Sequence, residues 1–457
     1  MDLRLSLGEV LHGSLTMKKT RQRSDENRRQ LSRREFLQAA GGAAATLGML
    51  PLWPGNVAAQ AQSGLEEAGL SHRCVSGDVT AHGAVVWLRA QEESWVSVRY
   101  GPEPSLSEFS ATTSVIVGKE TDFTAKLYLE GLQPQTTYYY RAVVDGKKPG
   151  PMNAFVTAPA EEAAADVQFA FGGDTRQSYQ PFVIMDAVRE MKPDFFVHLG
   201  DTIYADREWV AKRLPQFWAK YAANRSDRPT QRLLSGTSLY VIWDDHEVAD
   251  NYDPWDPLAP IGRKAFFDYW PVRRDPSESD RIYRSFRWGR AVELFLLDTR
   301  QYRDYSAGTI LGKEQKQWFL EALSASNASF KFVASSVPFS SPLGDKWGGY
   351  PSERDEILQL IRDKQITGVI FLTADLHYAA VARLPGGSGL KEVIVGPLAA
   401  ARGLQVGRTA RFEFFSRQFF TYGMIRVYAK SQRPYLEIAI LNDKNKVLYK
   451  SKLDAGM

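Results

Sequence analysis

Four apolar segments of this chain each run directly into an acidic residue. They are "VQFAFGGD", ending at Asp174, "FFVHLGD", ending at Asp201, "SLYVIWDD", ending at Asp245, and "TGVIFLTAD", ending at Asp375. Near-continuous apolar strands alternating with helical stretches such as "PFVIMDAVREM" and "SERDEILQLIRD" predict an α/β fold whose sheet is buried on both faces. In such folds the functional site lies beyond the carboxyl ends of the strands, so the acids are expected to meet there.

The residues at these strand ends are of metal-binding types. A single aspartate in this position is commonly a helix cap, but four strand ends here deliver carboxylates, a phenol and an imidazole to one rim. Hard and borderline cations need several oxygen and nitrogen donors that converge from different chain segments. The predicted metal ligands are Asp174, Asp201, Tyr204, Asp245, Asp375 and His377.

The chain before residue 160 has a different pattern. Short alternating strands such as "GAVVWLRA", "WVSVRYG" and "TYYYRAVVDG" predict an all-β sandwich over residues 62–160. Within it, "LQPQTTYYYRA" resembles the fibronectin type III pattern, in which a corner tyrosine pins the last strands. No set of acid, base and nucleophile lies in this segment, so we expect a scaffold or spacer. The α/β domain is predicted over residues 161–457.

The first 61 residues have the pattern of a targeting signal. Paired Arg33 and Arg34 precede a weakly apolar, Gly- and Ala-rich run and the small-x-small sequence Ala59-Gln60-Ala61. This arrangement resembles a twin-arginine export signal and predicts passage through the twin-arginine machinery to the periplasm or the exterior. The alternative is a permanent membrane anchor, although the apolar run is short for a bilayer span.

Charge and cysteine content limit the classes of partner. Residues 1–61 carry nine Lys or Arg against five Asp or Glu, so the whole net charge of +4 lies in this segment. The remaining chain is formally neutral and gives no electrostatic reason to expect nucleic-acid or membrane-surface binding. Cys74 is the single cysteine, which excludes an intrachain disulfide and a cysteine metal cluster.

Several blocks resemble a known superfamily. "GDTIYAD" is similar to the Gly-Asp-x-x-Tyr block of metallophosphoesterases, and "DDHE" to their Gly-Asn-His-Glu block, with Asp245 in place of Asn. "LLDTRQYRD", "LGKEQKQWFLEAL", "DKWGGYPSERDEIL" and "FLTADLHYAA" resemble the branch of PhoD-like alkaline phosphatases and phosphodiesterases. This chain departs from the pattern at Arg176, where most members have His, at Asp375, where His is common, and in lacking a nearby Cys. The departures put the identity of the metal in question more than its existence.

The resemblance implies a four-layer αββα metallophosphatase sandwich and a metal-dependent hydrolase of small phosphate esters. Two ions would neutralise the ester and generate hydroxide near neutral pH. Asp201 is the expected bridging ligand. Asp174 and His377 would complete one ion together with Tyr204, while Asp245 and Asp375 fit the second, and Asp375 could join either.

Two further residues have expected roles in the chemistry. His246 follows a ligand, as the catalytic His does in the resembling family, and would protonate the leaving oxygen or bind a phosphate oxygen. The alternative is a histidine paired with Asp244 or Glu247. Arg176 is the expected phosphate clamp, because a guanidinium binds phosphate and cannot bind a metal.

Roles outside the predicted metal ligands are expected for four other polar residues. His198 lies inside its strand and is expected to pack behind the site. Arg300 and Arg303 are further candidates for phosphate contact, the alternative being a solvated charged loop, and Asn251 could supply an amide oxygen to a metal or substrate.

The sequence allows more than one metal and more than one substrate class. The Tyr204 phenol favours Fe(III), with calcium or another divalent ion in the second position, because a trivalent ion supplies enough charge to hold a phenolate. The alternative is a Tyr204 that only packs at the rim. A second hypothesis for the function is a phospholipase or nucleotide-sugar phosphodiesterase that uses the same site. A third is a degenerate metallophosphatase that serves as a binding module.

Overall fold

The computed structural model describes residues 64–275, 277, 280–384, 390–403 and 411–456. The predicted signal over residues 1–61 lies outside them. In chain order the strands are β1 (Val75–Gly77), β2 (Gly83–Arg89), β3 (Ser94–Gly101), β4 (Ser110–Ala111), β5 (Val115–Val117), β6 (Thr124–Glu130), β7 (Thr137–Val144), β8 (Asn153–Val156), β9 (Val167–Gly172), β10 (Phe195–Leu199), β11 (Ser238–Ile242), β12 (Arg284–Trp288), β13 (Val292–Leu296), β14 (Phe330–Ala334), β15 (Val369–Thr373), β16 (Ala379–Arg383), β17 (Lys391–Ile394), β18 (Phe412–Ser416), β19 (Thr421–Tyr428), β20 (Tyr435–Asn442) and β21 (Val447–Asp454).

The helices of the α/β part lie between strands β9 and β15. They are α1 (Ile184–Glu190), α2 (Leu214–Arg225), α3 (Arg228–Leu234), α4 (Ala259–Tyr269), α5 (Gly312–Ala325) and α6 (Pro351–Asp363). No helix within the described residues combines the length and the apolar character needed to cross a bilayer.

Two large sheets form the centre of the protein. The first has the strand order β21-β20-β19-β9-β10-β11-β1-β2-β6, and the second β12-β13-β14-β15-β17-β16-β18. Strands β9, β10 and β11 are parallel to one another, as are β13, β14 and β15. Their carboxyl ends therefore lie at common edges, which is what places the strand-end acids together.

The alternation of side chains along each strand produces four layers. In β9, Phe169 and Phe171 enter the core between the two sheets, where Phe169 meets Phe332 of the second sheet edge-to-face at 5.0 Å. Ala170 points the other way, into the core under helices α1 to α4. Helices α5 and α6 cover the outer face of the second sheet. This is the four-layer αββα sandwich expected from the sequence, and that prediction is confirmed.

The amino-terminal strands form a β-sandwich that shares a sheet with the rest of the protein. A small sheet of order β4-β3-β7-β8, with β5 also paired to β3, packs against β2 and β6. The hydroxyl of Tyr138 accepts a hydrogen bond from the Gln133 amide at 3.0 Å, the contact expected of a corner tyrosine. Strand β1 pairs in parallel with β11, with Gly77 opposite Leu239, so β1, β2 and β6 extend the first sheet. The segment limits 62–160 and 161–457 stay predictions.

Candidate metal centre

The predicted ligands lie on tight backbone turns at the strand ends. Asp174 follows β9 with φ of 69°, Asp201 follows β10 with 53°, and Asp375 and His377 follow β15 with 65° and 54°. Residues other than glycine rarely adopt this left-handed backbone conformation, and each residue held in it costs about 1–3 kcal/mol of conformational free energy. Such strain concentrates at functional sites, where surrounding structure holds it in place.

Two overlapping groups of donors contain five of the residues discussed. Asp174, Asp201 and His377 form one, and Asp201, Asp245 and His246 form the other; in each, the ligand atoms lie within 4.8 Å of one another. Asp201 belongs to both groups. Its carboxylate is therefore within reach of the donors of both groups.

A third group is partly neutralised by the protein itself. It consists of Asp244, Asp245 and Asp375. The fully buried Arg300 donates from Nε to Asp244 Oδ1 at 2.5 Å, and its Nη2 lies 3.7 Å from Asp245 and 3.9 Å from Asp375. Lys346 donates from Nζ to Asp375 Oδ1 at 2.5 Å. Arg300 is thus a buried counter-ion and not part of a solvated loop.

Tyr204 lies between the two histidines. Its hydroxyl is 3.1 Å from His377 Nε2, and its ring stacks on His246 with centroids 4.2 Å apart. Burial, reinforced by the charges of Asp201 and Asp174, raises the pKa of the Tyr204 phenol well above its usual value. Without a cation beside it, the phenol therefore keeps its proton.

The two histidines have opposite electrostatic environments. Burial lowers the pKa of His377 to about 4, so its imidazole is neutral and able to bind a metal. Burial also opposes protonation of His246, but a hydrogen bond from Nδ1 to Asp206 Oδ1 at 2.8 Å raises the pKa of this ring above its usual value. The partner of His246 is Asp206, not Asp244 or Glu247. Divergent pKa values of this kind separate a ligand from a proton donor.

Burial and neighbouring charges shift the pKa values of the four predicted carboxylate ligands. Burial, with Asp375 and Asp244 as further causes, raises the pKa of Asp174 well above its usual value, and burial with Asp245 does the same for Asp201. Burial raises the pKa of Asp375 to about 7, against the opposing effect of Lys346. Burial would also raise the pKa of Asp245, but Arg300 and other nearby cations hold it well below the usual range. Additional cations would stabilise all four carboxylates.

The local packing fits bound metal ions. Asp174 Oδ2 and Asp375 Oδ2 are buried and have no hydrogen-bond partner among the described residues. A Cβ at Gly396, whose φ is 132°, would lie 2.4 Å from Asp174 Oδ2, so only glycine leaves this oxygen accessible. Buried carboxylate oxygens need a partner, and oxygen-rich donor sets with a neutral imidazole suit hard or borderline cations.

Glu247 holds two ligand loops in register. Its buried carboxylate accepts hydrogen bonds from the amides of Asp201 at 3.1 Å, Thr202 at 2.5 Å and Asp244 at 2.8 Å. It thereby joins the turn after β10 to the turn after β11. A Cβ at Gly200, whose φ is 104°, would lie 2.7 Å from Asp244 Cβ, so these turns also require glycine at close approach.

Arg176 and His198 flank the centre. Arg176 donates from Nε to Glu208 Oε1 at 2.7 Å, and its Cζ lies 5.8 Å from the centre of the Tyr204 ring. His198 Nε2 is 3.2 Å from the Thr175 hydroxyl, and burial lowers the pKa of His198 to about 3. His198 is therefore a packed, neutral residue behind the ligand turns, as its place inside the strand suggests.

Two other expectations concern polar groups at the rim. The backbone amide of Asn251, rather than its side chain, donates to Asp245 Oδ2 at 2.6 Å. Arg303 is buried and donates to the carbonyl of Thr299 at 3.1 Å and 2.9 Å. This contact gives Arg303 a structural role in its loop.

Sequence reasoning missed four residues that touch the predicted set: Asp206, Asp244, Glu247 and Lys346. Asp206 is the last residue of "GDTIYAD", while Asp244 and Glu247 belong to "DDHE", so both blocks contained the signal. Lys346 lies in "DKWGGY", 29 positions before its partner Asp375, and carried no local signal.

Comparison with known proteins agrees with this geometry. The family model for the PhoD-like phosphatase matches residues 171–425, and that for the PhoD-like phosphatase amino-terminal domain matches residues 56–159. Alkaline phosphatase D of Bacillus subtilis (strain 168) is 29% identical over an alignment of 311 residues, and the match covers 56% of this chain and 53% of that protein. The matched part thus spans about half the length of this relative.

Solved structures share the fold. A structure of PhoD superposes with a TM-score of 0.74 at 20% identity, covering 85% of this chain and 89% of the other. Purple acid phosphatase PPD1 from yellow lupin (Lupinus luteus) seeds gives a TM-score of 0.64 at 13% identity, covering 84% of this chain and 74% of the other. Since the first family model alone spans more than half of the residues and ends beyond the last predicted ligand, this chain belongs to the PhoD-like phosphatase family.

Proposed function

We propose that this chain is a metal-dependent phosphoric ester hydrolase acting as an alkaline phosphatase or phosphodiesterase. The observation that carries the proposal is Asp201, a single buried carboxylate common to two donor groups, with a protonatable His246 in one of them. The names of its relatives, an alkaline phosphatase and a purple acid phosphatase, support the same class of reaction.

The residues divide between two ions. We assign Asp174, Asp201, His377 and Tyr204 to the first ion. We assign Asp201 and Asp245 to the second ion, together with Asp375, which shares a donor group with Asp245. When bound, such ions neutralise phosphate charge and lower the pKa of water.

The remaining residues of the site position the proton donor, bind the phosphate group and compensate the charge of the carboxylates. Asp206 holds His246 through Nδ1, which leaves Nε2 to protonate the leaving oxygen as the P–O bond breaks. Glu208 fixes Arg176 through Nε, and we assign the Nη groups of Arg176 to the phosphate oxygens. Arg300 and Lys346 keep the neighbouring carboxylates ionised and in place.

Purified protein provides the direct test of this function. Elemental analysis is expected to find two or more metal ions per chain, and the protein is expected to hydrolyse p-nitrophenyl phosphate or bis(p-nitrophenyl) phosphate. A chelator that removes the ions should abolish hydrolysis, and restoring them should recover it. Metal-free protein with full activity, or metal-loaded protein that cleaves neither ester, would contradict the proposal.

Replacing His246 separates proton donation from metal binding. We expect His246→Ala to keep its metal content and to lose about 10²–10⁴ in kcat, the usual contribution of a positioned proton donor. The loss should be greatest for alkoxide leaving groups and small for nitrophenolate, which needs no proton. Asp206→Asn should show the same leaving-group dependence with a smaller loss, because it only orients the ring. A fall in metal content parallel to activity would make His246 a ligand instead.

The metal identity is a separate proposal, for Fe(III) at the Tyr204 position and calcium or another divalent ion at the second. A buried phenol surrounded by carboxylates gives up its proton only to a strongly charged cation. The purified protein should therefore be coloured by phenolate-to-iron charge transfer. Tyr204→Phe should remove the visible band, whereas Tyr139→Phe in the β-sandwich should not. A colourless, iron-free and fully active preparation would exclude iron.

Export through the twin-arginine route is also proposed, from the paired Arg33 and Arg34 before a weakly apolar run. Replacing both with Lys should leave precursor inside the cell, as fractionation and immunoblotting would detect. Undiminished export of the double variant would contradict the proposed route.

A further inference from the structure

A pocket of about 550 Å³ has two aromatic walls and two cationic side chains. Phe419, which is 39% exposed, stacks under the Arg402 guanidinium with 3.9 Å between Cζ and the ring centre. Phe420 contacts Phe419 at 5.6 Å and meets Tyr179 edge-to-face at 6.2 Å. Lys444 and the acidic Asp443 also line the pocket, so its charged side chains are two cations and one carboxylate. The volume is in the range of pockets that bind small organic ligands.

Both sides of this pocket are connected to the metal centre. The Tyr179 amide bonds to the carbonyl of Arg176 at 2.9 Å, two residues beyond Asp174. On the other side, Arg402 precedes Gly403, whose amide bonds to the carbonyl of His377 at 3.0 Å. Tyr179 and Arg402 thus belong to the same chain segments as the turns that carry Asp174 and His377.

The aromatic wall is held in a strained conformation. Phe420 has φ of 53°, a value that a bulky side chain rarely adopts. Such outliers occur where surrounding structure fixes a ligand clamp or an active site. Phe420 and its neighbour Phe419 both line the pocket.

The position of His246 decides which part of a substrate would lie here. His246 belongs to the Asp201 and Asp245 group and stacks on the Tyr204 ring, whereas His377 contacts the Tyr204 hydroxyl. Because the pocket residues belong to the segments of Asp174 and His377 and His246 follows β11, a leaving oxygen protonated by His246 would lie away from the pocket. When water adds to phosphorus and the P–O bond to the leaving group breaks, the other organic group keeps its own P–O bond and stays on the pocket side.

We propose that this pocket binds a planar aromatic group that a phosphodiester substrate retains after hydrolysis, stacking it on Phe419 and attracting the anionic ester through Arg402 and Lys444. This inference rests on the proposed hydrolase function and adds the substrate class: diesters with one aryl or nucleoside group. Planar rings stack on aromatic side chains whatever their exact substitution, and an arginine plane adds a cation–π contribution.

Three diesters with the same leaving group test the pocket. They are p-nitrophenyl ethyl phosphate, p-nitrophenyl phenyl phosphate and the p-nitrophenyl ester of thymidine 5′-phosphate, assayed with the metal-loaded full chain. We expect kcat/KM to be about tenfold higher for a retained planar group than for ethyl, the scale of one base–aromatic stacking contact. A gain for thymidine alone indicates a nucleoside substrate, and a gain for phenyl as well indicates any planar group.

Variants of Phe419 locate the preference. Phe419→Leu should abolish this preference, measured as the ratio of kcat/KM for the phenyl and ethyl esters, and a metal content equal to that of the unaltered protein shows that the variant is folded. Phe419→Tyr should retain it, and so should Trp95→Ala, which removes an exposed aromatic from β3. Equal kcat/KM for all three esters, or a preference that survives Phe419→Leu, would overturn the inference and leave the hydrolase function standing. Hydrolysis of none of the esters would instead overturn the proposed function.

Discussion

Repulsion among buried carboxyl groups at one end of the first sheet is the constraint on which the site depends. Asp174, Asp201, Asp244, Asp245 and Glu247 are each at most 3% exposed, and Asp375 lies beside them. Uncompensated burial of this much negative charge would cost far more than a domain can supply. The protein offsets part of it with Arg300, Lys346 and the amides that bind Glu247. The remaining carboxylates are left for cations from solution.

Partner choice gives chemically identical side chains different tasks. His246 is buried and His377 is half-buried; a carboxylate on Nδ1 raises the pKa of His246, whereas burial lowers that of His377. The Tyr204 ring stacks on His246, and its hydroxyl lies 3.1 Å from His377 Nε2. The same principle separates Asp245, held ionised by Arg300, from Asp174, whose Oδ1 lies 3.6 Å from Nε2 of the neutral His377.

Local patterns predicted an α/β fold with a sheet buried on both faces and the ligand turns, while the resemblance to metallophosphoesterases supplied the four-layer αββα arrangement. A strand buried on both faces must be apolar throughout, and the acid that follows it must lie at the carboxyl edge, as Asp201 does. Sequence reasoning did not reach Lys346 or the pairing of His246 with Asp206, because the shape of a loop decides such contacts. The shared sheet was also missed, since a strand pairing such as Gly77 with Leu239 joins segments 162 positions apart and leaves no periodic trace.

The pairing of β1 with β11 joins the amino-terminal sandwich to the sheet that carries Asp174 and Asp201. All five residues of β11 are buried, and β1 covers the side of β11 that faces away from β10. A chain that lacked β1 would present β11 as an unprotected apolar edge, the template on which sheets of different molecules join. We therefore expect removal of the sandwich to promote self-association of the remaining chain.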